Sequence, residues 1–314
     1  MDNKNNNKNL KISSINKRVF NSQVDIMTFK GKIEDAIFQH SVLCQTFLPY
    51  RNPGDDVDIW ERKQGDATLA LQSNRAFNPD TEAYERVGLP YGAKARLILA
   101  HINSEAIRNQ SPVVDVQDSM SAFIRRIGLN VDGRTIAEVK KQLRRLTVST
   151  LSLGYKDYEN SNRGVQIDLK IIKAFDIWFP KDDRQRVLWT STIRLTDDYF
   201  NSLSSHAIPL DERALAALAH NAMALDIYAW LAQRLHRVSK KKPQFIPWAA
   251  IKEQFGKEYA RMAEFKRVFR RYLQLALTQY PNARIKEEKN KGFWLHNSPS
   301  PIEKNVTHYL GMAK

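Results

Sequence analysis

The sequence contains a single cysteine, Cys44, among its 314 residues, which excludes a disulfide within the chain. It also lacks any apolar run near the roughly 18 residues that a membrane-spanning helix needs, and residues 1–17 form a polar tract rich in Asn and Lys instead of a signal peptide. Acidic residues are few: 34 Asp and Glu stand against 49 Lys and Arg, which gives a formal net charge of +15. We therefore expect a cytoplasmic protein with a polyanionic partner.

The motifs of common DNA-processing enzymes are absent as well. The Gly-Lys-Ile sequence at 31–33 lacks both the loop glycine and the Ser or Thr of a P-loop. No two histidines have the His-x-His spacing of metal-dependent nicking enzymes, and no histidine begins the His-x-x-Arg pattern of tyrosine recombinases. Asp55, Asp56 and Asp58 could bind a divalent metal, but a turn that begins at Pro53 is the simpler interpretation. We predict no enzyme activity, no cofactor and no metal site.

The positive charge is concentrated in two stretches. Residues 211–314 contain 19 Lys and Arg against nine Asp and Glu, and residues 94–145 contain ten against five. Charge alone does not establish a binding site, because a charged helix face is often only solvated surface. A binding site is indicated only where the basic residues share one face of a predicted helix.

The middle and the C-terminal part of the chain show the same order of predicted elements. Periodicity and turn residues indicate, in the middle, a helix at 92–109, a strand at 113–116, helices at 118–128 and 133–146, and β-like runs up to 196. The C-terminal part repeats this order with a helix at 224–238, a strand at 245–247, helices at 248–255 and 260–280, and strands at 283–286 and 292–295. Such an order is typical of the winged helix-turn-helix domain.

We therefore predict an α+β fold with two tandem winged helix-turn-helix domains, at 31–205 and 206–298. Residues 1–30 are polar and poor in aromatic residues, which predicts a disordered or loosely ordered arm, and 299–314 are expected to form a flexible tail.

Two further elements are expected near the start of the first domain. The apolar spacing of residues 34–48 indicates a helix that Pro49 stops, and 57–61 and 68–72 are expected to pair as a β-hairpin.

The third helix of each predicted domain provides evidence for an internal duplication. Residues 136–146 align without gaps with residues 262–272, and five of the eleven aligned pairs are identical. Five of the remaining pairs keep apolar or basic character, which chance similarity between two amphipathic helices explains less well than duplication does.

On a helical wheel, each of these two helices has an apolar stripe opposite a basic face. A helix with small residues and arginines on its exposed face suits the major groove of duplex DNA, and it cannot enter the deep, narrow groove of A-form RNA. We expect arginines to contact base edges and lysines near the edge of each face and on the wing to contact phosphates. The predicted DNA-binding residues are Arg134, Lys140, Lys141, Arg144 and Arg145 on the first helix, Arg261, Lys266, Arg267, Arg270, Arg271 and Gln274 on the second, and Lys286, Lys289 and Lys291 on the wing.

Four segments resemble the RepA-type plasmid replication initiators: 91–99 (YGAKARLIL), 133–135 (GRT), 206–211 (HAIPLD) and 224–232 (ALDIYAWLA). The resemblance covers roughly residues 35–298, and the Asn-rich start of the chain lies outside it. It implies an initiator that binds directly repeated origin sites as a monomer, promotes origin opening and helps to bring in the host helicase, with a host initiator as another possible contact.

The same resemblance implies a homodimer, formed through the first domain, that represses the initiator's own promoter and so contributes to plasmid copy control. It also implies that residues 260–274 supply the main base contacts and that residues 134–145 supply a second set dominated by the DNA backbone. Two alternatives stay open at this point: a transcriptional regulator with tandem winged helices, and a DNA-processing enzyme with an unrecognised site.

Overall fold

The computed structural model describes residues 14–33, 36–64, 67–78, 81–115, 120–156, 164–175 and 192–302. The helices within these residues are α1 (Ser14–Thr28), α2 (Gly92–Asn109), α3 (Met120–Arg126), α4 (Gly133–Val148), α5 (Asp197–His206), α6 (Glu212–Leu218), α7 (Ala222–Leu235), α8 (Trp248–Phe255) and α9 (Met262–Thr278). The strands are β1 (Ala36–His40), β2 (Ile59–Gln64), β3 (Ala67–Gln72), β4 (Arg75–Asn78), β5 (Ala83–Arg86), β6 (Val113–Asp115), β7 (Thr150–Lys156), β8 (Gly164–Lys170), β9 (Ile172–Phe175), β10 (Thr192–Leu195), β11 (Ala207–Asp211), β12 (Gln244–Pro247), β13 (Ile285–Glu288) and β14 (Gly292–Leu295). No helix in this part of the chain is both long and apolar enough to cross a membrane.

The order of elements in the first unit follows the predicted one. Helix α2 leads into strand β6, helices α3 and α4 follow, and β9 and β10 complete an antiparallel sheet in which β10 lies between β6 and β9. Gly128 follows α3 with a φ of 77°, a left-handed conformation in which glycine is not strained, and thus ends that helix as the sequence indicates. The predicted hairpin is also present, with β2 and β3 antiparallel in a second sheet that continues through β7 to β8.

The second unit repeats this order, except that, among residues 192–302, no strands equivalent to β7 and β8 follow its third helix. Helix α7 leads into β12, α8 and α9 follow, and β13 and β14 form an antiparallel pair. Strand β14 lies between β12 and β13, so the last strand of each unit occupies the centre of its three-stranded sheet. The sequence predicted α8 and β14 with the bounds that the structure has, because Trp248 begins a strongly periodic segment and Gly292 closes a polar turn.

The two units pack together as one body with a continuous hydrophobic core. The β1–β11 ladder joins a strand from the start of the chain to one that follows α5, so it crosses the predicted domain boundary at 205 and 206. Arg96 on α2 and Asp226 on α7 form a buried bidentate ion pair, in which both N–O distances are 2.7 Å. Arg96 also donates to the carbonyl oxygens of Leu48 and Gly92, at 2.6 and 2.8 Å.

The prediction of a helix at 34–48 is wrong for its described part. Residues 36–40 form strand β1, paired with β11 from Ala36↔Asp211 to His40↔Ala207, and a turn follows at 41–45. All five side chains of β1 are buried, so the strand lacks the alternation of apolar and polar residues that marks a half-exposed strand.

The expected flexible ends are likewise corrected where the structure describes them. Residues 14–28 form helix α1, whose Ser22 hydroxyl lies 3.0 Å from the Arg213 carbonyl and 2.8 Å from the Gln279 side-chain oxygen. Tertiary contacts therefore stabilise this helix, which the polar composition of residues 14–28 does not predict. At the other end Ile302 is fully buried and bridges to Gly31, while residues 1–13 and 303–314 lie outside the described residues.

His40, at the junction of β1 and β11, is expected to make the free energy of unfolding depend on pH. His40 accepts a hydrogen bond from the Val42 N–H at Nδ1, and its Nε2 lies 3.0 Å from the Ser202 hydroxyl. Burial, with a smaller contribution from His206, lowers the pKa of His40 to about 4. The unfolded imidazole takes up a proton near pH 6.5 and the folded one does not, so we expect the free energy of unfolding to fall between about pH 6.5 and 4 by roughly 3 kcal/mol for this residue.

Urea unfolding at several pH values measures this loss. A His40→Gln variant should show a shallower decline, because its amide does not titrate. A variant that declines as steeply as the original chain would contradict the role given to His40. Burial also lowers the pKa of His101 to about 4, so part of the decline should persist in the variant.

Candidate nucleic-acid interface

Helix α9 is positioned by a tight turn after α8. The Gly256 N–H donates to the Lys252 carbonyl at 2.8 Å and ends α8. A Cβ atom at position 256 would lie 2.2 Å from the Phe265 ring, so only glycine allows the first turn of α9 to pack this closely on the turn. Helix α8 and the turn that follows it therefore set the position of α9.

An aromatic cluster fixes the rotation of α9 about its axis. Phe265 and Phe269 are buried against Trp248 of α8. The centroids of their rings lie 6.1 and 5.7 Å, respectively, from the centroid of the Trp248 ring. Phe293 of β14 contacts the same indole ring at 4.9 Å. Because this face of α9 packs in a cluster with α8 and β14, the opposite face is presented to solvent in a defined orientation.

That opposite face is basic, as the sequence predicts. Arg261, Arg267, Arg271 and Gln274 are exposed, and the small residue Ala263 lies exposed near the N-terminus of the helix. Within the described residues, Arg267 makes no ion pair. Its guanidinium is therefore able to donate two parallel hydrogen bonds to a partner with two acceptors, such as the edge of guanine or a phosphate.

Two basic residues of α9 instead connect the helix to the β13–β14 hairpin, which is the predicted wing. Arg270 is half-buried, and its Nη2 and Nε donate to Glu287 of β13 at 2.6 and 3.1 Å, contacts that raise the pKa of Arg270. Lys266 donates to the Asn290 carbonyl at the tip of the wing, at 3.2 Å. A base contact by Arg270 would require its pair with Glu287 to open, so the structure gives Arg270 a positioning role first.

The wing itself presents Lys286, Lys289 and Lys291 to solvent, as expected. Lys291 donates to Glu288 at 2.6 Å, and the Trp294 indole N–H donates to the other oxygen of that carboxylate at 2.9 Å. These hydrogen bonds lower the pKa of Glu288, which keeps it ionised and holds Lys291. Lys289 and Lys286 are consequently the wing cations better placed to meet a phosphate.

Helix α4 has a comparable division of faces. The Asp132 side chain accepts from the Thr135 N–H at 2.7 Å and caps the start of the helix. Val139, Leu143 and Leu146 are buried at helical spacing. Of the predicted basic residues, Arg134 and Lys141 are exposed, and Lys140 and Arg144 are half-exposed.

The prediction that Arg145 belongs to the exposed basic face is wrong, because its side chain is 1% exposed. Its guanidinium donates to the Leu89 carbonyl at 2.9 Å and to Asp55 at 2.5 Å, with a further contact to Asn52. The loops around residues 52 and 89 cover this flank of α4, and no wheel drawn on the helix alone contains them. This pair also accounts for Asp55, one of the three aspartates considered as metal ligands.

The buried position of Arg145 predicts an effect on stability and not on DNA affinity. An Arg145→Leu variant should lose about 2–4 kcal/mol of unfolding free energy, because Asp55 and the Leu89 carbonyl lose their donor. Its affinity for duplex DNA, measured by fluorescence anisotropy well below the melting temperature, should stay within about twofold of the original. A matched Lys141→Leu variant should show the reverse, with weaker binding and little change in stability. If Arg145→Leu weakens binding as much as Lys141→Leu does, Arg145 faces DNA after all.

One exposed basic cluster is not among the residues that the sequence predicts to bind DNA. Lys240, Lys241 and Lys242 lie exposed in the loop between α7 and β12, at the end of the second unit's first helix. Three consecutive lysines in the sequence are a signal that could have placed them among the candidate phosphate contacts.

Within the described residues, no group of His, Cys, Asp or Glu side chains has the arrangement of a metal site.

Comparison with solved structures places this architecture among known folds. Domains 2 and 3 of RctB, solved as selenomethionine derivatives, align with a TM-score of 0.50 over 82% of this chain and 98% of that chain, at 8% identity. A second structure of RctB domains 2–3 aligns with a TM-score of 0.48 over 81% of this chain and 94% of that chain, also at 8% identity. At this identity the likeness concerns the fold alone.

Comparison of the sequence with protein families gives a more specific result. No curated protein sequence matches the chain. The family described as plasmid encoded RepA protein matches residues 89–250, which is just over half of the chain and includes α4 and the ion pair that joins α2 to α7. The chain therefore belongs to the RepA family of plasmid replication initiators, as the resemblance of its motifs implied.

Proposed function

We propose that this replication initiator binds directly repeated duplex sites at a plasmid origin through two winged helix-turn-helix units. The observation that carries the proposal is the equivalence of α4 and α9. Each is the third helix of a unit whose three-stranded sheet has the same strand order, and each presents a basic face opposite a buried apolar stripe. A doubled recognition module suits a site that spans more than one turn of B-form DNA.

The contacts divide by chemistry between base reading and backbone positioning. Arg267, Arg271 and Gln274 project from α9 and have donors suited to the edges of guanine and adenine in the major groove. Arg134 and Lys141 of α4, together with exposed lysines of the second unit, are assigned to phosphates. Those lysines are Lys240, Lys241, Lys242, Lys286 and Lys289.

Origin opening would follow from binding and not from ATP hydrolysis. Protein binding and bending energies of a few kcal/mol can unstack the flexible steps of an A·T-rich segment. We assign the protein no enzymatic activity of its own and place its action in the cytoplasm, where a plasmid resides. Helicase recruitment, self-association and repression of its own promoter belong to the same proposal, on the strength of the family alone.

A transcriptional regulator with the same two DNA-binding units is the alternative, and plasmid maintenance separates the two. A replicon that carries the gene and its flanking DNA should be maintained in a host that lacks other initiators, and failure would favour the regulator. A third possibility is a DNA-processing enzyme. Incubation with supercoiled origin DNA and Mg²⁺ should leave the DNA supercoiled, and relaxed or protein-linked DNA would overturn the non-enzymatic assignment.

Footprinting on the DNA that flanks the gene tests the proposed binding directly. Regularly spaced protected repeats are expected, with strong dependence on salt because about 6–10 phosphate contacts release that many counterions. Uniform protection without repeats would contradict a sequence-specific initiator.

A further inference from the structure

The outer face of the β4–β5 hairpin has an unusual composition for a solvated surface. In the antiparallel register Phe77 lies opposite Tyr84, and Arg75 lies opposite Arg86, so these four side chains share one face. Phe77 is 52% exposed and Tyr84 is 67% exposed, with ring centroids 5.6 Å apart in an edge-to-face arrangement. Both arginines are exposed, and Arg86 lies 3.3 Å from the exposed carboxylate of Asp58.

The opposite face of the hairpin attaches it to the candidate DNA-binding helix. Ala76 is buried, and Glu85 pairs with Arg144 of α4 at 3.6 Å. At the base of the hairpin, Asn74 donates to the Val148 carbonyl at the end of α4, at 2.8 Å. The acidic residue of β5 thus faces the protein, and the aromatic and basic residues face outward beside α4.

We propose that this outer face binds single-stranded DNA, with unpaired bases stacked on Phe77 and Tyr84 and phosphates held by Arg75 and Arg86. Exposed aromatic rings among cations are the combination with which proteins hold single strands without reading their sequence. Duplex DNA suits the face less well, because its bases already stack on one another and offer only their edges. The two arginines on the same face match the regular negative charge of a nucleic acid backbone. The inference rests on the proposed function, since origin opening is what supplies an unpaired strand.

Fluorescence anisotropy with the full-length chain tests the proposal. The probes are labelled oligothymidine of about 20 nucleotides, which does not fold on itself, and a duplex of similar length that carries the footprinted origin repeat. A Phe77→Ala/Tyr84→Ala variant should bind the single strand about tenfold or more weakly and the duplex within about twofold of the original. A Phe77→Trp/Tyr84→Trp variant keeps two stacking rings and should retain single-strand affinity.

Two controls separate this inference from the proposed function. Phe20→Ala removes an equally exposed aromatic ring on α1 and should change neither affinity. Arg267→Ala should weaken duplex binding and leave the single strand unaffected. The inference is overturned if the original chain does not bind oligothymidine, if the double alanine variant binds it equally well, or if that variant loses both DNA forms to the same extent. Failure of duplex binding in the original chain, with single-strand binding intact, would instead overturn the proposed function.

Discussion

Replacement of Arg267 and Arg271 together by alanine is expected to abolish the proposed preference for origin repeats. Both guanidinium groups project from the exposed face of α9. Each bidentate contact to a guanine contributes about 1–3 kcal/mol of discrimination against the wrong base. We therefore expect affinity for the repeat to fall about 100-fold or more, and affinity for random duplex DNA to fall much less. Competition binding with repeat and random DNA at one salt concentration measures both values.

Two further variants make this expectation sharper. Lys289→Ala removes a wing cation and should weaken binding to both DNAs alike, with the salt slope reduced by about one. Arg270→Ala should lose less discrimination than the arginine pair, because Arg270 acts through Glu287 of the wing; a Glu287→Gln variant should lower specificity in the same way. Equal losses on repeat and random DNA in the Arg267 and Arg271 variant would show that α9 holds the backbone and does not read bases.

Replacement of Arg96 by alanine is expected to destabilise the fold by roughly 3–5 kcal/mol, the largest effect on stability of any single substitution considered. The side chains of Arg96 and Asp226 are 8% and 7% exposed, so the change leaves a buried carboxylate without its partner. The carbonyl oxygens of Leu48 and Gly92 lose a donor as well. Chemical unfolding followed by circular dichroism measures the loss.

A matched double variant separates the cost of an unpaired charge from the loss of contacts. Arg96→Met/Asp226→Leu removes both charges and keeps similar volume, so it should recover a substantial part of the stability lost by Arg96→Ala. If the double variant is less stable than Arg96→Ala, the Arg96–Asp226 pair stabilises the fold through more than the neutralisation of one buried charge by the other. If Arg96→Ala unfolds at the same urea concentration as the original chain, the junction between the two units does not depend on this pair.

The same pair explains part of the family motifs. Arg96 lies in the 91–99 segment and Asp226 in the 224–232 segment, and the Asp211 N–H of the 206–211 segment donates to the Tyr228 hydroxyl at 3.1 Å. The 91–99 and 224–232 motifs therefore join the two units to each other, and the 206–211 segment contacts α7 and pairs as β11 with β1. The 133–135 segment is different, since it forms the capped start of α4.

Elements with strong periodicity could be predicted from the sequence, because their burial is decided locally. Helices α4, α8 and α9 have apolar residues at helical spacing, and strands β13 and β14 flank a polar turn with Asn290 at a φ of 63°. The basic faces of α4 and α9 could be predicted for the same reason. Lys141 and Arg267, aligned in the two copies, are both exposed.

Features that depend on distant segments could not be predicted in this way. Strand β1 is buried by β11, about 170 residues away along the chain, and helix α1 is held by side chains such as Gln279. Arg145 aligns with the exposed Arg271, yet loops near Asn52 and Leu89 enclose it. In each case the partner comes from elsewhere in the sequence, so local pattern and propensity contain no information about it.

Site-directed cleavage of DNA tests most directly whether α4 and α9 both lie on the duplex. Cys44 is fully buried, and burial raises the pKa of its thiol, so a cysteine introduced at Ala137 or Ala263 is the one that an iron chelate reagent modifies. Both conjugates should cleave repeat DNA within the protected region, in two separate windows, while a conjugate at Asn21 on α1 should cleave elsewhere or not at all. A conjugate at position 263 that binds the repeat but leaves its strands intact would contradict the account.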